Sequence, residues 1–152
     1  MIHAFHHSSK VEARWARVLD QWLKKRGNTF RDASDEEQWM GIDRVVLAPK
    51  QTTIEYKCDT RAKKTGNIFV ETISNNVSGR KGWAKTCQAD WLFYFITPGE
   101  LLCFEGASFK RMVPTWERRY GTKKARNHTF DSVGLVVPID AAKTIARLAV
   151  RL

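Results

Sequence analysis

The run Ala89 to Ile96, ADWLFYFI, narrows the choice of fold more than any other stretch of this chain. Aromatic and aliphatic residues follow one another with no polar alternation after Asp90, so the run has no side to give to water and reads as a strand buried on both faces. Just ahead of it, Trp83 to Gln88 opens as a short helix. Before that, Asn67 to Ser74 sets Ile68, Val70 and Thr72 against Phe69, Glu71 and Ile73, the alternation of a strand. Strand, helix and buried strand together predict a right-handed crossover with a parallel pairing, and hence an α/β sheet.

The elements upstream follow from periodicity and turn chemistry. Lys10 to Arg26 carries Val11, Trp15, Val18, Leu19, Trp22 and Leu23 on one helical stripe, which makes Trp15 and Trp22 core residues. Ser9 with Glu12 has capping-box spacing at its start, and Gly27 stands where a C-terminal cap belongs. Asn28 to Glu37 is polar and aperiodic, a surface loop with room for a short strand at its start. Trp39 to Leu47 and Thr52 to Cys58 are β-favouring runs separated by Ala48-Pro49-Lys50-Gln51, a hairpin. Asn67 to Ser74 would extend that hairpin into a three-stranded antiparallel meander.

Downstream, Leu101 to Glu105 reads as a strand pairing with Ala89 to Ile96. Ala107 to Tyr120 reads as a helix bent or restarted at Pro114, and Gly121 to Asn127 as a basic loop. Ser132 to Pro138 is a strand. Asp140 then caps a last helix with Ile145, Leu148 and Ala149 facing inward. There is no repeat and no linker, and 152 residues suit one domain, 1–152.

Charge bounds the partner. Lys and Arg number 26 against 16 Asp and Glu, a formal +10, which points to a polyanion, with nucleic acid ahead of a membrane surface. Cys58, Cys87 and Cys103 lack metal-ligand spacing, and their odd number argues against a disulfide framework, so a reducing cytoplasm is expected. No run reaches the length of a membrane helix. His3, His6 and His7 suggest a metal, but near a terminus they read as solvated.

The chemistry gathers in Gly41 to Lys57, GIDRVVLAPKQTTIEYK. On a strand Glu55 and Lys57 share one face, while Ile54, Tyr56 and Cys58 share the other. A hairpin turning at Pro49-Lys50 brings Asp43 opposite them. Two carboxylates and one ammonium then meet, an arrangement of hard oxygen donors suited to Mg²⁺ beside a lysine able to orient water or stabilise charge on phosphorus. Alone, E-x-K describes many solvated strand faces with weak ion pairs. The upstream acid and the basic balance of the chain raise the functional reading above that.

With a helix acid, a hairpin reading D-x11-E-x-K, a third strand, a crossover helix and a buried strand, the sequence resembles the PD-(D/E)XK nuclease superfamily. Ile42 stands where the motif has its proline. The resemblance implies an α/β fold of restriction-endonuclease-like type: an αβββαβ core at about residues 9–96, a mixed central sheet flanked by helices, and a C-terminal extension at about 97–152. It implies Asp43 and Glu55 as metal ligands, Lys57 as the catalytic lysine, Glu12 as the helix acid, and Mg²⁺ as cofactor with Mn²⁺ able to replace it. Glu71 is a candidate accessory acid or else an edge charge. Lys85 and Gln88 either approach the site or form a solvated helix face.

The expected activity is a Mg²⁺-dependent DNA endonuclease, site-specific in the manner of restriction or homing enzymes and acting as a dimer or higher homo-oligomer on double-stranded DNA. A Holliday-junction-resolving nuclease is the alternative, as is a non-catalytic DNA- or RNA-binding module on the same fold. Phosphate contacts are expected from Arg61, Lys63, Lys64, Arg80, Lys81 and Lys85, with a second basic group at Lys110, Arg111, Lys123, Lys124 and Arg126.

Overall fold

The computed structural model describes residues 2–126 and 129–152, with side chains from Glu12 onward. Helix α1 (Ile2–Lys25) buries Leu19 and Leu23, and Trp15, Val18 and Trp22 pack beside them. It begins ahead of Ser9, so Ser9 lies within the helix and the capping box expected with Glu12 is not at its start. The helix ends as expected. Gly27 adopts φ +83°, where only glycine sits without strain, and the Asn28 N–H reaches back to the Leu23 carbonyl at 3.1 Å.

The polar stretch expected as a loop holds strand β1 (Thr29–Asp32) and helix α2 (Asp35–Trp39). The capping box lies here: the Glu37 N–H donates to Ser34 Oγ at 3.2 Å and the Ser34 N–H donates to Glu37 Oε2 at 2.8 Å. Strand β2 (Arg44–Ala48) is therefore shorter than the run from Trp39 suggested. It pairs antiparallel with β3 (Thr52–Asp59), Val46 opposite Thr52 and Arg44 opposite Ile54. The hairpin turns where the sequence placed it.

Helix α3 (Ala62–Thr65), strands β4 (Asn67–Asn75) and β5 (Arg80–Lys81) and helix α4 (Trp83–Thr86) lead to β6 (Trp91–Ile96) and β7 (Glu100–Glu105). Helix α5 (Gly106–Tyr120), strands β8 (Lys123–Arg126) and β9 (Asp131–Pro138), helix α6 (Ile139–Lys143) and strand β10 (Leu148–Arg151) follow. The chain is α/β. A mixed six-stranded sheet runs β1-β2-β3-β6-β7-β10, and a four-stranded antiparallel sheet runs β5-β4-β9-β8.

Strand β6 is covered on both faces, as its composition required. Phe93 and Phe95 turn to α1, meeting Trp22 and Trp15 edge-on at centroid distances of 5.9 and 5.6 Å. Leu92, Tyr94 and Ile96 turn the other way, into a core shared with β4, β9 and α5. Its parallel partner is β3, from Ile54 opposite Trp91 to Asp59 opposite Ile96. That pairing occupies the edge of β3 that β4 was expected to take. The meander is consequently β1-β2-β3, and β4 pairs with β9 in the second sheet, burying Ile68 and Val70 against Leu135 and Val137.

Three further expectations change. Gly121 to Asn127 is not all loop, since Lys123–Arg126 is an exposed strand on β9. Helix α5 runs through Pro114 without a restart and buries Phe109, Val113 and Trp116. Asp140 lies in the first turn of α6, whose N-cap is Pro138, and Leu148 belongs to an edge strand that pairs with Cys103 instead of to a last helix. No helix among the described residues is long and apolar enough to cross a membrane.

Candidate active site

Strand β3 sits inside the six-stranded sheet, so its two faces look into different surroundings. Ile54 and Tyr56 point to the α1 side, where Tyr56 donates through its hydroxyl to Asp20 Oδ1 at 2.8 Å. Glu55 and Lys57 point toward the second sheet. Lys57 Nζ is 3.0 Å from Glu55 Oε1, and Glu55 is only 4% exposed. The other oxygen, Glu55 Oε2, is buried with no nitrogen or oxygen donor on it and only the Cys87 thiol beside the carboxylate.

Asp43 is held beside them by backbone alone. Its N–H donates to the Ile54 carbonyl at 2.8 Å, and its Oδ2 accepts from the Tyr56 N–H at 2.7 Å, the amide between Glu55 and Lys57. Gly41 closes the end of the pair. Its φ is +73°, and a Cβ there would stand 3.5 Å from Glu55 Oε2 and 3.0 Å from the Cys87 Cα.

The electrostatics follow from this packing. Burial raises the Glu55 carboxyl above the usual range, with Lys57 and the Cys87 thiol opposing and Asp43 reinforcing the rise. Burial would lower Lys57, but Glu55, Asp43 and Glu12 outweigh it and keep the ammonium protonated above its ordinary pKa. Glu12 is exposed on α1, close enough for its charge to act on both Lys57 and Cys58. Glu71, on β4, is raised by burial and opposed by Lys57, so it too belongs to this neighbourhood.

Trp83 was not singled out for this site by the sequence, yet it roofs it, with Lys57 Nζ 5.5 Å from its ring. The signal was Gly82. A Cβ there would fall 2.5 Å from the Glu71 carbonyl, so only glycine lets α4 press onto β4 and present the indole.

Two grooves meet under Trp83. The first, of about 650 Å³, is lined by Lys57, Arg61, Phe69, Lys123, Lys124 and Arg126. Asp59 and Tyr94 form part of its lining, and Asp59 is consumed structurally: Oδ1 accepts from the Arg61 and Ala62 amides at 2.9 and 2.8 Å and Oδ2 from the Tyr94 hydroxyl. The second, of about 800 Å³, is lined by Glu55, Glu71, Trp39, Arg80, Lys81 and Phe130.

The remaining basic candidates lie elsewhere. Lys63 borders a separate hollow with Glu100 and Lys143. Lys64 is exposed and lines neither groove. Lys85 faces Glu117 at 3.4 Å, and Gln88 is exposed. Lys110 borders a hollow with Gln51, Asp90 and Glu105, and Arg111 donates to Ser108 Oγ at 3.1 Å on α5. The expected second basic group is thus divided, with only its β8 members, Lys123, Lys124 and Arg126, on a groove beside Lys57. His3, His6 and His7 lie outside the residues whose side chains are described.

The donor set fits a hard divalent cation. Glu55 Oε2 has no donor stronger than the Cys87 thiol, Asp43 is close enough for its charge to act on Glu55, and Mg²⁺ is commonly held by one or two carboxylates with water completing its shell. Among the described residues no three His, Cys, Asp or Glu side chains form a ready-made cage. Comparison with protein-family models, with curated proteins and with solved structures gives no match.

Proposed function

We propose that this chain is a metal-dependent endonuclease hydrolysing phosphodiester bonds in DNA. The observation that carries the reading is Glu55. A carboxylate 4% exposed, with one oxygen on Lys57 and the other facing nothing stronger than the Cys87 thiol, is costly to the fold. Packing alone gives no reason to keep it where two grooves carrying basic side chains meet.

In this reading Asp43 and Glu55 hold Mg²⁺, with Mn²⁺ as its substitute. Bound there, the cation supplies Lewis acidity and a water of lowered pKa. Lys57, kept protonated by Glu55, donates to charge developing on the phosphoryl oxygens. Arg61, Lys123, Lys124 and Arg126 on one side, and Arg80 and Lys81 on the other, grip backbone phosphates and set the register of the strand.

The restriction-endonuclease-like core is part of this proposal. It is supported by the order α1, the meander β1-β2-β3, then β6 parallel to β3 after a crossover. One site cuts one strand, so a symmetric dimer is proposed for double-strand cleavage. Site-specific cutting has less support than it had, because Lys110 and Arg111 stand apart from the grooves.

The deciding experiment is plasmid cleavage with and without Mg²⁺, comparing the wild type with Lys57→Ala. Loss of cleavage by ~100-fold or more is expected, the scale reached when supports of a metal site are removed. Equal rates would overturn the assignment.

A further inference from the structure

We propose that the second groove is a binding site for an unpaired nucleobase, stacked on Trp39, so that the preferred DNA carries a single-stranded segment beside the cut. The position relative to the cut rests on the endonuclease reading, but the base site does not.

Trp39 is 77% exposed, beside Met40 at 36%, and it borders the second groove. It is not a frayed end. Helix α2 buries none of its residues, yet it is stapled by the Ser34–Glu37 capping box and by the two terminal guanidinium nitrogens of Arg31 on the Glu37 carboxylate, each at 2.8 Å. The following turn is fixed as well, since the Met40 carbonyl accepts from the Gln88 N–H at 2.8 Å. A short helix with no buried residue is thus held firmly, and what it presents is the indole.

The Arg80 guanidinium stands over one face of the Trp39 ring, 5.6 Å from its centroid, with Lys81 next to it, so the face left for a base is the opposite one. Exposed aromatics interleaved with cations bind single strands, the ring taking a base and the cations its phosphates. Bases inside a duplex have both π-faces covered by their neighbours, so only a base out of the stack can lie on this ring. The charge of the surface running out of the groove, rather than of the groove itself, selects nucleic acid over a peptide. The cations run on past Lys57 into the first groove, through Arg61 and Lys124, in a chain of net +10. Asp35, Glu55 and Glu71 line the second groove, three acids to two cations, so the phosphates are assigned to the Arg80 and Lys81 edge alone.

The test is fluorescence anisotropy in EDTA, where no cutting occurs, comparing a blunt duplex with the same duplex bearing a short single-stranded flap. Wild-type protein should favour the flap by about tenfold, the size of one base–aromatic stack. Trp39→Ala should bring the flap-to-blunt ratio close to one, and Trp39→Phe should keep most of it. Flap binding should also quench tryptophan fluorescence, less so in Trp39→Ala. Equal affinity for both DNAs in the wild type, or an unchanged ratio in Trp39→Ala, overturns the site; the latter result with both affinities intact would leave Trp39 as a protein contact. Because no metal is present in the binding test, a flap preference without Mg²⁺-dependent cutting of either the flap DNA or plasmid would sink the endonuclease reading alone, and cleavage without a flap preference would sink this one alone.

Discussion

Two substitutions at Asp43 separate its mechanical role from its proposed chemical one. Its Oδ2 accepts the Tyr56 N–H at 2.7 Å, in a strand where Tyr56 is 8% exposed, so that amide has no ready route to water. Alanine removes the acceptor and leaves a buried donor unpaired, a cost of about 1–3 kcal/mol. For a domain of this size each kcal/mol moves the melting temperature by about 2–4 °C, so Asp43→Ala should melt about 4–8 °C below the wild type for a cost near 2 kcal/mol. Asparagine keeps a carbonyl oxygen in the same place. The Asp43 backbone bonds to Ile54 and Ala33 do not depend on the side chain. Asp43→Asn should therefore melt close to the wild type while losing Mg²⁺-dependent cleavage by ~100-fold or more. Paired melting curves and plasmid assays check both halves. If Asp43→Asn falls as far in melting temperature as Asp43→Ala, the hydrogen-bond argument is wrong; if it cuts at the wild-type rate, the carboxylate holds no catalytic metal.

Other consequences can be measured independently. Burial pushes the Cys87 and Cys103 thiols from 9.0 to about 12, so the folded chain keeps protons that the unfolded chain releases first. Their contribution is intact below about pH 9 and is lost as pH rises toward 12, at up to about 1.4 kcal/mol per thiol per pH unit; urea midpoints across that window should fall less steeply in Cys103→Ala, and equal slopes would count against the cause. Since α1 starts at Ile2, Glu12→Gln removes no cap: melting should stay within about 0.5 kcal/mol of the wild type while cleavage drops, and an early-melting, fully active variant would reverse that reading. Neutralising Lys123, Lys124 and Arg126 should flatten the salt dependence of DNA binding by about 0.9 in log–log slope for each phosphate no longer neutralised, and an unchanged slope would take β8 out of the interface.

How much of this was legible depended on whether the signal was local. The β2–β3 hairpin and the shared face of Glu55 and Lys57 follow from period-two alternation about a proline turn, so the approach of Asp43 could be read from spacing. The double burial of β6 was legible because it has no polar side. Strand β8, Lys-Lys-Ala-Arg, is exposed at every position and offers no hydrophobic pattern, so it read as a loop. Helix α2 was missed although Ser34 and Glu37 have capping-box spacing in plain sight; without an apolar stripe the cap had no helix to attach to. The largest miss was β4. Adjacency in sequence favoured pairing with β3, but the apolar β6 occupies that edge, and the inward Ile68 and Val70 find their cover on β9 instead. The places of Trp83 and Glu71 depend on that same exchange, which no local pattern announces.

The pairing of β4 with β9 also sets a sequence in time. Residues 67 to 75 wait for residues 131 to 138 before the second sheet can form, and contacts so far apart along a chain close late because the loop between them must first be ordered. As the polypeptide is made, Asp43, Glu55 and Lys57 emerge early, on a sheet face with nothing opposite. The wall bearing Lys123, Lys124 and Arg126 arrives only with β9, which carries β8 along its edge. A nascent chain would hold the carboxylates and the cations without yet holding a groove, so whatever the groove does begins only after folding is nearly done.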